Sequence, residues 1–266
     1  MTTLITDTRS LARLCDELRG APYVAVDTEF LRERTYHAQL CLVQVAHGGH
    51  AAAIDPLAPS IDMAPLRDLL LDRSVVKVLH SAVQDLEIFL DRLGEVPAPV
   101  FDTQIAATVC GHGEQPGYAS LARSMLDVRI DKAAQATDWS LRPLTERQVD
   151  YALSDVTHLC RIYELLSREL DESGRRAWVE EEMSALLDPE RYRTDPREAW
   201  RRIRLRHPRG PQVAVLRELA AWREETAMAR DLPRGWVVRD EALAEIAQTL
   251  PRDEAALARI RALKPP

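Results

Sequence analysis

VAVDTEF, Val24 to Phe30, begins apolar on both faces and then sets two carboxylates two residues apart. Side chains alternate across a strand, so Asp27 and Glu29 share a face. Tyr23, Val24, Ala25 and Val26 are apolar or aromatic on both faces, the pattern of a strand covered on both sides. Two like charges beside a core are costly unless something positive joins them. One reading ends the strand in solvent; the other makes the pair half of a metal site.

The surrounding chain decides the fold class. Ser10 to Leu18 reads as a short amphipathic helix that Ala21–Pro22 ends. After VAVDTEF come strand candidates at Ala38–Ala46 and His50–Asp55, joined by the glycines of HGGH. Loops this short predict an antiparallel meander, because parallel crossovers need more chain. A helix over Ala64–Leu71, a strand over Val75–His80, a helix opened by Ser81 and a short strand in PAPVFD follow. Ser81 and Gln84 have capping-box spacing, and so do Thr145 and Gln148, which open a long helix from Glu146 to about Leu170. Helices are also expected over Thr103–Cys110 and Tyr118–Leu126. This order predicts an α/β fold with a mixed five-stranded sheet flanked by helices.

The 266 residues carry a net charge of −7 and 46% hydrophobic residues, ordinary for a globular chain. That balance excludes a simple basic nucleic-acid-binding protein, although local patches matter more than the total. The four cysteines form no C-x-x-C pair, which argues against a zinc knuckle and for a reducing compartment. The N-terminus lacks a secretory pattern, and no apolar run approaches the roughly 20 residues a bilayer needs. The expectation is a cytoplasmic protein with no membrane partner. Arg191 to Gly210 holds eight arginines against two acids, while residues 1–190 balance at −13. Beyond it the chain reads as helices only. The expected organisation is therefore 1–190, a basic connector at 191–209, and a helical domain at 210–266. The connector is either a solvated charge run or a guide that leads RNA to an acidic site.

Two more motif elements complete the pattern. Asp85 falls in the first turn of its helix, where the dipole favours an anion. Tyr151 and Asp155, in YALSD, share one helical face. DTEF, HSAVQDLEIFL and YALSD, in that order and spacing, resemble the three motifs of the DEDDy superfamily of 3′→5′ exonucleases, which has a ribonuclease H-like fold. Within it the ribonuclease D family is most similar, through FDTQIAA, DWSLRPLTERQVDYALSDV and WREETAMARDLPRGWVVRDEAL as well. The last stretch resembles the helicase-and-RNase-D C-terminal (HRDC) domain. Such a domain usually continues beyond a third helix, so the copy ending at KPP is expected to be incomplete.

The resemblance implies that Asp27, Glu29, Asp85 and Asp155 are the acidic site residues and that Tyr151 positions the attacking water. Two divalent cations, Mg²⁺ or Mn²⁺, suit such an oxygen-rich set. Asp27 would bridge them, Glu29 and Asp155 would complete the nucleophile-side ion, and Asp85 would hold the other. Tyrosine is a poor base, with a pKa of about 10. Tyr151 therefore either holds the water or only orients Asp155 or Glu29. Candidate substrate contacts are Thr28, Phe30, Leu31, His80 and Arg142, the last beside Trp139. For Phe30 core packing is the competing reading, for His80 a structural role, and for Arg142 anchoring of its loop.

The function these features imply is a metal-dependent 3′→5′ exoribonuclease that releases 5′-mononucleotides. Its partner would be RNA with a free 3′ end, such as transfer-RNA precursors and other small structured RNAs, acted on by a monomer. The alternatives are a DNA exonuclease of the same superfamily and a non-catalytic RNA-binding module.

Overall fold

The computed structural model describes residues 4–131 and 137–263, which form two compact units. One runs to Leu31 and again from Leu40 to Tyr192. The other contains Arg32–Gln39 and the chain from Arg193 onward.

The first unit is built on a six-stranded sheet in the order β1-β4-β3-β2-β5-β6. The strands are β1 (Leu4–Ile5), β2 (Tyr23–Leu31), β3 (Gln39–His47), β4 (His50–Ile54), β5 (Val76–Leu79) and β6 (Val100–Asp102). The mixed sheet matches expectation, with β1 added at its edge. Two residues are too few to show a period, and β1 exists because Leu4 and Ile5 pair in parallel with Ala53 and Ile54. β3 and β4 are antiparallel, from Val43 opposite Ile54 to His47 opposite His50. Gly48 and Gly49 close that hairpin with φ of 57° and 83°, the left-handed pair a two-residue turn requires. β2 pairs in parallel with β5, and β5 with β6.

Tyr23 and Ala25 pack in a core with Val78, Phe101 and the inner faces of four helices. These are α4 (Thr103–Cys110), α5 (Tyr118–Leu126), α6 (Glu146–Ser173) and α7 (Arg176–Ser184). Strand alternation puts Asp27 and Glu29 on that same face, the one that receives α6. α1 (Thr8–Leu18), α2 (Ala64–Leu71) and α3 (Val83–Leu93) bury Leu11, Leu66, Leu69, Leu70, Leu86 and Phe89.

The Thr145–Gln148 capping box is present: the Gln148 amide N–H donates to Thr145 Oγ1 (3.3 Å) and Thr145 N–H to Gln148 Oε1 (3.0 Å). The Ser81–Gln84 box is not. α3 starts at Val83 with no side-chain cap, and Ser81 adopts φ 56°. Buried Asp102 takes over, accepting from the N–H groups of Ser81 (3.1 Å), Ala82 (2.8 Å) and Gln104 (2.8 Å). One carboxylate thus anchors the turn into α3 and caps α4. A left-handed serine costs on the order of 1 kcal/mol, and these bonds hold it there.

The second unit packs a 3₁₀ turn at Pro196–Arg202 against α8 (Gly210–Arg230), with α9 (Arg234–Val237), α10 (Asp240–Thr249) and α11 (Glu254–Leu257) following. The arginine-rich segment is therefore more than a connector: it buries Ala199 and Ile203, while Arg201, Arg202, Arg204 and Arg206 stay exposed. Glu224, fully buried, is held by Arg234 at 2.6–2.9 Å and by the Tyr36 hydroxyl at 2.5 Å. No helix among the described residues is long and apolar enough to cross a membrane.

Candidate active site

A pocket of about 390 Å³ opens along the carboxyl-terminal half of β2 and past the end of β5. β2 contributes Asp27, Thr28, Glu29 and Phe30. The link from β5 into α3 contributes His80, Ser81, Gln84 and Asp85, and α5 and α6 contribute Tyr118, Tyr151, Asp155 and Leu159. Four carboxylates from three distant chain segments meet here because β2 ends facing α6 and α3 begins where β5 ends. Among the described residues no lysine or arginine lines the pocket.

The electrostatics follow from that crowding. Burial, then the charges of Asp85, Glu29 and Asp155, hold the Asp27 carboxyl well above the usual range. Burial with the Asp155 and Asp85 charges lifts Glu29 to about 8. Burial lifts Asp85 to about 7, opposed by the hydrogen bond from the Thr28 hydroxyl. Asp155 rises to about 6 through burial, opposed by a hydrogen bond from the Tyr151 hydroxyl. Its Oδ1 is buried with no hydrogen-bond partner. The Tyr151 proton is itself held more tightly than usual by burial and the neighbouring Asp155 charge.

Residues 2–171 match a family described as a 3′-5′ exonuclease, and residues 212–266 match the HRDC domain. Ribonuclease D of Zymomonas mobilis is 49% identical over 261 residues, which are 98% of this chain and 67% of that protein. Ribonuclease D of Granulibacter bethesdensis is 50% identical over 259 residues, 97% of this chain and 66% of that one. The chain belongs to the ribonuclease D family. The crystal structure of Escherichia coli RNase D, described as an exoribonuclease involved in structured RNA processing, is similar with a TM-score of 0.87 and 40% identity. It is covered to 69% by 97% of this chain. The chain spans about two thirds of the length of these ribonuclease D relatives. Its first domain is a 3′→5′ exonuclease, and its family is one of exoribonucleases.

Exonucleases of this superfamily depend on divalent metal ions, and the donor set suits them. Hard cations prefer carboxylate oxygen; the pocket offers four carboxylates, one with a buried unpartnered oxygen, and among the described residues no competing lysine or arginine. Among the described residues no three His, Cys, Asp or Glu groups stand together closely enough to hold a metal ion as placed, so the fit rests on the chemistry of the donors. Asp102 makes the contrast: three backbone N–H groups occupy its oxygens, and it has no need of an ion.

The pocket of this ribonuclease D relative gathers Thr28, Phe30 and His80 with the four carboxylates and Tyr151. The Thr28 hydroxyl is directed at Asp85. His80 Nδ1 lies 3.0 Å from the Thr103 hydroxyl, and its ring tilts against Tyr118 at 5.3 Å. Leu31 is not in the lining; it packs against a core of Cys41, Leu42, Trp139 and Val149. For Arg142 the contacts are those of the loop-anchor reading. Its guanidinium bonds Asp55 through Nε and Nη2 (both 2.7 Å), and the carbonyls of Cys41, Trp139 and Leu141 at 2.7–2.9 Å. Those contacts occupy its donors, the arrangement of a loop anchor, and Arg142 is not among the residues lining the pocket.

Sequence reasoning missed Tyr118 and Asp102. Tyr118 opens an amphipathic helix and reads as a core aromatic, with no local signal of the pocket. Asp102 had one: Asp followed by a helical run is N-cap chemistry, although its second task across the sheet was not readable.

Proposed function

We propose that the chain cleaves RNA one nucleotide at a time from a free 3′ end, using two divalent cations, Mg²⁺ or Mn²⁺, and releases 5′-mononucleotides. Transfer-RNA precursors and other small structured RNAs are its substrates in this reading. The observation that carries it is the convergence of Asp27, Glu29, Asp85 and Asp155 with Tyr151 in one pocket that, among the described residues, no lysine or arginine lines. The four carboxylates would hold the cations, with Asp27 bridging. When bound, such a pair supplies an activated water and neutralises the leaving oxygen. Phe30, at the end of β2, offers a ring on which any terminal base can stack.

Tyr151 keeps its proton, since burial and Asp155 both oppose losing it. Its task is to orient, by hydrogen bonding, the water that attacks phosphorus. Tyr151→Phe should lower kcat by about 10²-fold, at the low end for a positioned proton-bonding group, with KM for RNA little changed. If Tyr151 only orients Asp155, raising the metal concentration will restore kcat instead.

The test of function uses 5′-labelled single-stranded RNA beside the same sequence in DNA, with Mg²⁺, Mn²⁺ or chelator. The expected result is a ladder shortening from the RNA 3′ end that chelator abolishes. Faster loss of DNA would make the chain a DNA exonuclease. RNA retention without shortening in either metal would make it a binding module.

A further inference from the structure

We propose that Tyr118 is a positioning residue for this site, fixing the α6 turn that carries Asp155 so that the carboxylate can take a cation. The inference rests on the metal-dependent reading above. Tyr118 comes from α5, which supplies none of the carboxylates, yet its side chain forms part of the pocket wall. Its hydroxyl donates to the backbone carbonyl of Asp155. Its ring packs against His80, whose Nδ1 is in turn bonded to Thr103 at the start of α4.

The placement is unusual for a helix interior. Asp155 lies inside α6, past its first two turns, where a carbonyl already has its partner four residues on. A second donor there satisfies no orphan group, so backbone satisfaction does not explain it. What the bond does is pin one helical turn from outside. The Asp155 carboxylate takes the Tyr151 hydroxyl and leaves Oδ1 buried and unpartnered. Two tyrosines, one on the backbone and one on the side chain, thus hold a single aspartate with one oxygen available. Burying such an oxygen without a partner is unfavourable, and α6 would rotate or slide to relieve it unless restrained. Tyr118 supplies the restraint, with His80 and Thr103 behind its ring. Holding a ligand to a few tenths of an ångström is the work of such supporting groups, whose loss typically weakens metal affinity 10–100-fold.

Tyr118→Phe removes only the hydroxyl and keeps the packed ring. The experiment titrates Mn²⁺ into wild type and variant, reading the metal-induced rise in Tm and the metal midpoint of RNA cleavage, with chelator Tm as the control. The expected result is a midpoint raised about tenfold in both readouts, near the lower end of the range for supporting residues. KM for RNA at saturating metal should be unchanged, and so should Tm in chelator. A variant with lowered chelator Tm but a wild-type metal midpoint would make Tyr118 merely structural and overturn the proposal, as would a variant identical to wild type throughout. Failure of the underlying reading looks different: wild type itself would show neither a metal-induced Tm rise nor metal-dependent cleavage.

Discussion

Asp27→Asn is expected to abolish RNA cleavage, by about 10³-fold or more, and at the same time to stabilise the metal-free protein at alkaline pH. The first effect follows from its proposed bridging position: losing a shared ligand removes several kcal/mol of charge stabilisation, and each 1.36 kcal/mol is tenfold in rate. The second follows from linkage. A carboxylate whose folded pKa lies above its unfolded value contributes stability fully present below the unfolded pKa, and loses it as pH rises through the folded one. Asp85 rises from 3.8 to about 7, Asp155 from 3.8 to about 6 and Glu29 from 4.5 to about 8, with Asp27 shifted the same way. In chelator the wild type should therefore lose stability steadily between about pH 4 and 8. Asparagine cannot ionise and removes one like charge from its neighbours, so the variant should decline less and melt higher than wild type at pH 8. A divalent cation should restore the wild type at that pH and do little for the variant. Melting curves at pH 5 and 8, with EDTA and with Mn²⁺, check all of this. A variant that melts lower than wild type at pH 8 in chelator would show that Asp27 is not in a repulsive cluster. Cleavage within tenfold of wild type would remove it from the chemistry.

The part of this site legible in the sequence is the part that depends on local geometry. Alternation along β2 placed Asp27 and Glu29 on one face, and helical spacing placed Tyr151 over Asp155. Both relations hold whatever the tertiary structure. The Thr145 capping box was readable for the same reason: donor and acceptor lie three residues apart. The Ser81 box had identical spacing and did not form, because Asp102, about twenty residues on, takes the Ser81 N–H that the box would have used, and the Ala82 N–H with it. A charge-assisted bond is roughly twice as strong as a neutral one, so the distant carboxylate wins over the local Gln84 side chain. Tyr118 illustrates the same limit. Its position depends on how α5 packs against α6, and nothing between residues 113 and 126 encodes that. The gathering of Asp85 with the other carboxylates was legible only through the family resemblance, since parallel pairing of β2 with β5 is what brings it there.

Arg142→Ala should unfold the protein more readily without changing how it handles RNA. DWSLRP carries an arginine three residues after a tryptophan, a pair that reads as a substrate clamp or a loop anchor, and the hydrogen bonds favour the anchor. Asp55 has a side chain only 5% exposed, and Arg142 one 26% exposed. Removing the arginine leaves the Asp55 charge buried without its ion pair and three carbonyls without this donor. Breaking a fully buried pair costs roughly 3–5 kcal/mol; partial exposure of the arginine brings this to about 2–3 kcal/mol. For a chain of this size that is a fall in Tm of about 5–10 °C. Arg142→Lys should recover little, because a single ammonium cannot form the two-point contact with Asp55 and reach the carbonyls together. At a temperature where the variant is folded, KM for RNA should match wild type. An unchanged Tm with KM raised tenfold would reverse the assignment and return Arg142 to the substrate. The distinction matters for the pocket itself: the loop Arg142 secures leads directly into the Thr145 cap of α6, whose sixth and tenth residues are Tyr151 and Asp155. The anchor therefore supports the fold that presents them, and the metal-induced rise in Tm should persist in the variant for as long as it stays folded.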